Sequence, residues 1–126
     1  MWNLIVYTAT SRALAAIEYF VNIEPNQAPD HLVMLEAHVP DKLVETLDLK
    51  TLPRRWYEID NKACGAIGTD WLRSQRSLGL KVPTVPVRGD WNVLLNPSHP
   101  NFTEVAITSQ EPFYYDERMF QKRSRN

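Results

Sequence analysis

Three side chains stand where local sequence puts them near chemistry: the carboxylate of Glu18, the phenol of Tyr7 and the hydroxyl of Thr84. Glu18 lies in an alanine-rich stretch in which Ala13, Leu14, Ile17, Phe20 and Val21 share one apolar arc at about 100° per residue. It falls at the edge of that arc. A carboxylate there is either a solvated flank group or an acid held partly out of water. Tyr7 ends an apolar run just ahead of the same stretch, so Tyr7 and Glu18 could converge on one cleft. Thr84 stands between Pro83 and Pro86, which deny ladder donors on both sides. It belongs at a sheet edge or in a kink, with its hydroxyl open to a cleft if one lies there. His31, His38, Cys64 and His99 lack metal-ligand spacing, and no metal site is expected. His99, in a Pro-flanked loop, reads as a structural hydrogen-bond partner.

The elements that position these residues follow from the pattern. Leu4-Ile5-Val6-Tyr7 is apolar and partly β-branched and reads as a short buried strand. The hydroxyls of Thr8, Thr10 and Ser11 come next and suit a helix start. A helix is predicted over 12–22, without glycine or proline. Pro25 and Pro29 mark a connector, and the alternation over 31–39 predicts a strand of the central sheet, closed by Pro40. Asp41 would cap a short helix over 42–47. The segment 52–57 reads as a loop with an aromatic anchor, and its Arg54-Arg55 pair as solvated. A second amphipathic helix is predicted over 60–76 from Ala63, Ile67, Trp71 and Leu72. Gly65 and Gly68 either weaken that helix or admit a close neighbour. The segment 78–101 is β-rich, with a turn at Arg88-Gly89-Asp90 and a returning strand Trp91-Asn92-Val93-Leu94-Leu95. A last strand is expected over 104–109. Asp116 and Arg118 are expected to tie the segment after it to the body as an ion pair.

Composition narrows the class. With 126 residues, the chain is one domain able to bury roughly 65–70% of its unfolded surface. A net charge of −1 recruits neither nucleic acid nor an acidic membrane. No apolar run approaches the roughly 18 residues that a membrane-spanning helix needs, and no leader is expected ahead of the first strand. One cysteine, Cys64, excludes an internal disulfide and fits a reducing cytoplasm. The expected organisation is a domain over 1–120 and a short basic tail over 121–126.

An ordered series of motifs runs through the chain: Val6-Tyr7-Thr8-Ala9, Ala16-Ile17-Glu18, Val39-Pro40-Asp41, Gly68-Thr69-Asp70-Trp71-Leu72, Lys81-Val82-Pro83-Thr84, Asn92 to Pro100 (NVLLNPSHP) and Asp116-Glu117-Arg118. This series resembles the RES domain, the toxin of bacterial toxin–antitoxin pairs whose partner is an Xre-type helix-turn-helix antitoxin. The resemblance implies an α+β, ADP-ribosyltransferase-like single domain with a central mixed or antiparallel sheet flanked by helices. It implies NAD as the substrate consumed, with water or phosphate as acceptor, or with a protein as acceptor. Glu18 matches the family's glutamate, and Tyr7 its active-site tyrosine. The family's serine is Thr84 here, which keeps the hydroxyl and adds a methyl and a stiffer χ1. Catalytic roles are implied for Glu18, Tyr7 and Thr84, and NAD contacts for Tyr7, Thr84 and Asn92.

The same resemblance carries one departure. The family's arginine lies in a Gly-Arg-Trp-Asn block ahead of the first strand, where this chain has Met1-Trp2-Asn3. The chain is therefore expected to lack the family's N-terminal portion, with a larger effect on NAD affinity than on the chemical step. Two outcomes are open at this point: an NAD-consuming toxin, or an inactive copy that keeps the fold and the antitoxin surface. Self-association or a need for a partner is expected as well, because a missing N-terminal lead-in would leave the first strand's surroundings uncovered.

Overall fold

The computed structural model describes residues 4–23, 29–58 and 62–120. Among these described residues, six strands and two α-helices follow one another: β1 (Val6–Ala9), α1 (Arg12–Phe20), β2 (Leu32–His38), β3 (Val44–Thr46), α2 (Lys62–Ser74), β4 (Gly79–Pro83), β5 (Trp91–Leu95) and β6 (Ala106–Phe113). Four strands form a mixed sheet in the order β1-β5-β4-β3, antiparallel except for the parallel pair β3–β4. The crossover between those parallel strands contains α2, as a parallel connection requires. β2 and β6 form a separate antiparallel ribbon. The architecture is the expected α+β class.

The first strand begins and ends two residues later than expected, because its pairing with β5 runs from Val6↔Leu95 to Ala9↔Asn92. Two of the hydroxyls assigned to the helix start instead secure this pairing: Thr8 Oγ1 donates to Val93 O at 2.7 Å and Thr10 Oγ1 to Trp91 O at 3.2 Å. Ser11 does cap α1, its Oγ accepting from Leu14 N at 3.1 Å. Replacing it, Ser11→Ala, should lower stability by about 1 kcal/mol, read as a lower urea midpoint with unchanged slope. Of the apolar arc on α1, Leu14 is fully buried, whereas Ile17 and Val21 stay exposed. Phe20 packs edge-on to Phe120 at 5.4 Å and near Tyr115 at 6.0 Å.

Other expectations are corrected by tertiary pairing. β2 is not a strand of the central sheet. Its outer half carries Glu36 and His38, and its backbone is satisfied by β6 along Leu32↔Phe113 to His38↔Ala106. The helix expected over 42–47 is a short 3₁₀ turn, Asp41–Leu43, followed by β3. β-branched Val44 and Thr46 suit a strand, and Val44 lies opposite Gly79, where an added Cβ would come within 3.0 Å of Val44 Cγ2. The last strand starts at Ala106, and Glu104 belongs to the 3₁₀ turn before it. α2 stops at Ser74, with Gln75 in the left-handed region at φ 52°. Asp60, Met1–Asn3 and the 121–126 tail lie outside the described residues.

The core lies between α2 and the mixed sheet: Trp71, Leu72, Leu80 and Leu94, joined by Ile5, Leu47 and Val82. Trp71 Nε1 donates to Ser77 Oγ at 2.8 Å, and that hydroxyl donates to Gly79 O at 2.9 Å, which ties the end of α2 to the start of β4. Among the described residues, no helix is long and apolar enough to cross a membrane.

Arg12, the first residue of α1, reaches both strands of the ribbon, pairing with Glu36 and with Glu111 at 2.8 Å. Its hydrogen bond holds the Glu111 carboxyl below its ordinary value of 4.5. A carboxylate lowered in the folded state adds stability above its unfolded value and loses it as the pH falls through the folded one. Melting of wild type and Arg12→Gln should therefore differ at pH 7 and converge as the pH drops below 4.5. A gap that stays constant down to pH 3 would contradict this linkage. The pair Asp116–Arg118 does not tie the C-terminal segment to the body. The two bond each other within one turn at 2.6 Å, and the anchor is aromatic, with Tyr115 in T-shaped contact with Phe113 at 4.9 Å.

Candidate active site

The mixed sheet buries one face under α2 and α1, and period-2 alternation decides which residues meet there. Ile5 just ahead of β1 and Tyr7 within it, Asn92 and Leu94 from β5, and Leu80 and Val82 from β4 form the floor of a cleft of about 910 Å³. Glu18, Val21 and Asn22 close one wall from the end of α1, and Cys64, Gly65, Ile67, Gly68 and Thr69 of α2 close another. Pro83 to Pro86 and the loop residues Trp56, Tyr57 and Glu58 complete the rim. This volume sits at the upper end of the roughly 300–1,000 Å³ found for small-molecule sites.

The structure brings Tyr7, Glu18, Thr84 and Asn92 together on this one cleft. Thr84 follows the last residue of β4, past the ladder, as the flanking prolines required. Its amide donates to Asp90 O at 3.0 Å and its Oγ1 donates to Glu18 Oε1 at 3.0 Å. Asn92 comes from the central strand β5, opposite Ala9 on one side and Val82 on the other. Its Nδ2 donates to Thr8 O at 3.1 Å and also to Glu18 Oε1. Both acceptors are oxygens without a proton to give, which fixes the amide with its NH₂ toward them. Thr84 is 1% exposed and Asn92 9%, so both donors are held in place by the surrounding fold. Among the described residues, both side-chain donors to the Glu18 carboxylate, Thr84 Oγ1 and Asn92 Nδ2, land on Oε1.

Tyr7 stands differently. Its side chain is 72% exposed, and it lines the cleft as an open aromatic face. Gly65 and Gly68 admit no neighbour: a Cβ at either would meet nothing within 4 Å. They open on the cleft and smooth its α2 wall. Their spacing, three residues apart on a helix, was the available signal for a shared face. Cys64 donates to Trp56 O at 3.4 Å, and burial pushes its thiol above the ordinary 9.0, which leaves little nucleophilic thiolate at neutral pH. His99 caps a turn, its Nδ1 accepting from Asn101 N at 3.0 Å, in the structural role expected. Among the described residues, no group of three or more His, Cys, Asp or Glu is placed to hold a metal ion. A smaller groove of about 410 Å³, lined by Asp30, His31, Leu32, Val33, Pro112 and Tyr114, lies at the end of the ribbon. It contains no residue of the Glu18 cluster.

Comparison with known proteins gives a consistent picture. The model of the RES domain family matches residues 4–116. A "Prs ADP-ribosylating toxin" of Sphingobium sp. (strain YBL2) is 34% identical over 129 residues, covering 96% of this chain and 80% of its own length. A "Toxin Res" of Yersinia enterocolitica is 32% identical, covering 90% of this chain and 76% of its own length. A "Toxin Res" of Photorhabdus laumondii is 33% identical, covering 82% and 67%.

Proposed function

We propose that this chain, which belongs to the RES domain family, cleaves the bond between nicotinamide and ribose in NAD and passes the ADP-ribosyl group to an acceptor. The observation that carries this reading is the carboxylate of Glu18, fixed on one oxygen by Thr84 and Asn92 at the wall of a dinucleotide-sized cleft. Cleavage of a glycosidic bond passes through an oxocarbenium-like state, whose positive charge a fixed carboxylate stabilises. Glu18 Oε2 is the atom available for that charge or for a ribose hydroxyl. Tyr7 offers its ring to the nicotinamide, a cationic aromatic that stacks well on a phenol. Thr84 and Asn92 act through Glu18, as positioning residues that keep the carboxylate in one rotamer without reorganisation during the reaction. Their position on Oε1 supports this role over the direct NAD contact that the resemblance implied for them.

The acceptor is a separate question, and the Sphingobium relative's name favours a protein. Incubating the purified chain with NAD and analysing products by mass distinguishes the cases. Nicotinamide with free ADP-ribose indicates water, ADP-ribose phosphate indicates inorganic phosphate, and an ADP-ribosyl mass on an added cell extract's proteins indicates transfer. No nicotinamide in any mixture would favour the inactive copy. An Xre-type antitoxin belongs to the same reading, and the exposed Val33, Leu35 and Ile107 of the ribbon give apolar surface for a partner or for self-association.

A further inference from the structure

A dinucleotide would bring a diphosphate into this cleft, and the described residues that line it supply no cation. Among the described residues that line it, the charged ones are Glu18 and Glu58. A cation does stand over two of its rim rings: Arg88, in the loop between β4 and β5. That loop closes on itself through Thr84 N donating to Asp90 O at 3.0 Å and Asp90 N donating to Val87 O at 3.1 Å, with Gly89 at φ 96°. A positive φ there is cheap only for glycine. Its first residues, Thr84, Val85 and Pro86, are themselves cleft wall. The Arg88 guanidinium lies 4.2 Å from the Tyr57 ring centroid and 5.6 Å from that of Trp56, and both rings line the cleft. The two rings are themselves packed edge to face at 5.9 Å.

Among the described residues, no carboxylate forms an ion pair with this arginine. The described ion pairs engage Arg12, Arg55, Arg76 and Arg118, and none engages Arg88. Glu58, the closest acid in sequence to the two rings, pairs with Arg55 at 3.3 Å. A guanidinium held over a ring by cation–π attraction uses none of its N–H donors there, so its fork stays available for two parallel hydrogen bonds to phosphate oxygens. Stacking also removes much of the side-chain freedom that an exposed arginine would lose on binding.

We propose that Arg88, held over Tyr57 and Trp56, is the pyrophosphate-binding residue of this cleft. The proposal rests on NAD being the ligand and assigns which end of the cleft takes which half of it. The nicotinamide ribose lies by Glu18 and Tyr7, and the diphosphate lies at the Trp56–Tyr57 rim.

The test is calorimetric binding of two fragments to wild type and to Arg88→Gln. ADP-ribose carries the pyrophosphate, and nicotinamide riboside carries none. Glutamine retains a planar group to lie on the rings but removes the charge. The expected result is about a tenfold loss of ADP-ribose affinity in Arg88→Gln, with nicotinamide riboside affinity unchanged. Added salt should weaken ADP-ribose binding to wild type and change it much less in the variant. Thermal melting of both proteins checks that the loop substitution leaves the fold intact, and Arg88→Lys serves as a second variant that keeps the charge. Equal ADP-ribose affinity in wild type and Arg88→Gln would overturn the proposal while leaving the NAD reading in place. Equal weakening of both fragments would also overturn it, because Arg88 would then only brace the aromatic rim. A wild type that binds neither fragment nor NAD would remove the NAD reading, and this proposal with it.

Discussion

Glu18→Gln should reduce NAD cleavage by about 10²–10³-fold while leaving the melting temperature nearly unchanged. The two halves of that expectation come from the same pair of hydrogen bonds. A glutamine side-chain oxygen can still accept from Thr84 Oγ1 and Asn92 Nδ2, so the buried donors remain satisfied and the helix stays in place. What disappears is the negative charge offered to the oxocarbenium-like state on the other oxygen. Glu18→Ala should behave differently. It leaves the hydroxyl of Thr84 without its acceptor, at 1% exposure, and should lower stability by about 1–3 kcal/mol as well as abolishing activity. Rates of nicotinamide release and urea midpoints, measured on both variants, separate charge from scaffold. A Glu18→Gln protein that is folded and fully active would show that the carboxylate has no part in the reaction.

The second large effect concerns the scaffold. Trp71→Ala should destabilise the domain by about 3–5 kcal/mol, a large share of the roughly 5–15 kcal/mol that a domain of this kind has. Trp71 is 1% exposed and packs with Leu72, Leu80 and Leu94, so its removal leaves a cavity that α2 and the sheet cannot both close. The indole also donates to Ser77, whose hydroxyl bonds Gly79 O, and that chain fixes the start of β4. The damage reaches the site because α2 supplies one wall of the cleft, and β4 leads directly into Thr84. Trp71→Phe keeps most of the volume and should cost clearly less, with the indole hydrogen bond as the remaining difference. Chemical denaturation followed by far-ultraviolet circular dichroism reads both. A loss below about 1 kcal/mol for Trp71→Ala would contradict the assignment of this residue as the centre of the core.

Local chemistry made some elements legible and long-range pairing hid others. α1 was readable because its alanine-rich sequence has a serine placed to cap it, and both signals lie within a few residues. β3 was not, since Val44–Thr46 becomes a strand only when Gly79 arrives beside it from beyond α2. The alternation over 31–39 predicts β2 as a strand of the central sheet, and it lies instead in the ribbon with β6. Alternation reveals that a face is buried and is silent about which strand lies alongside. The site divides in the same way. Proline flanks put Thr84 off the ladder, and the edge of an apolar arc singled out Glu18, yet the two are 66 residues apart and no spacing rule joins them. The resemblance to a family supplied that link, together with Asn92. Arg88 was legible only as part of a turn, because its contact with Tyr57 and Trp56 is made across two loops.

The most direct test of the cleft as the NAD site is a crystal structure of the Glu18→Gln variant soaked with NAD, slow enough to retain intact substrate. The account predicts the nicotinamide ring against Tyr7, the anomeric carbon of its ribose beside the side chain at position 18, and the diphosphate toward the Trp56–Tyr57 rim. NAD bound instead in the groove between Asp30 and Tyr114, with the Glu18 cleft empty, would contradict it.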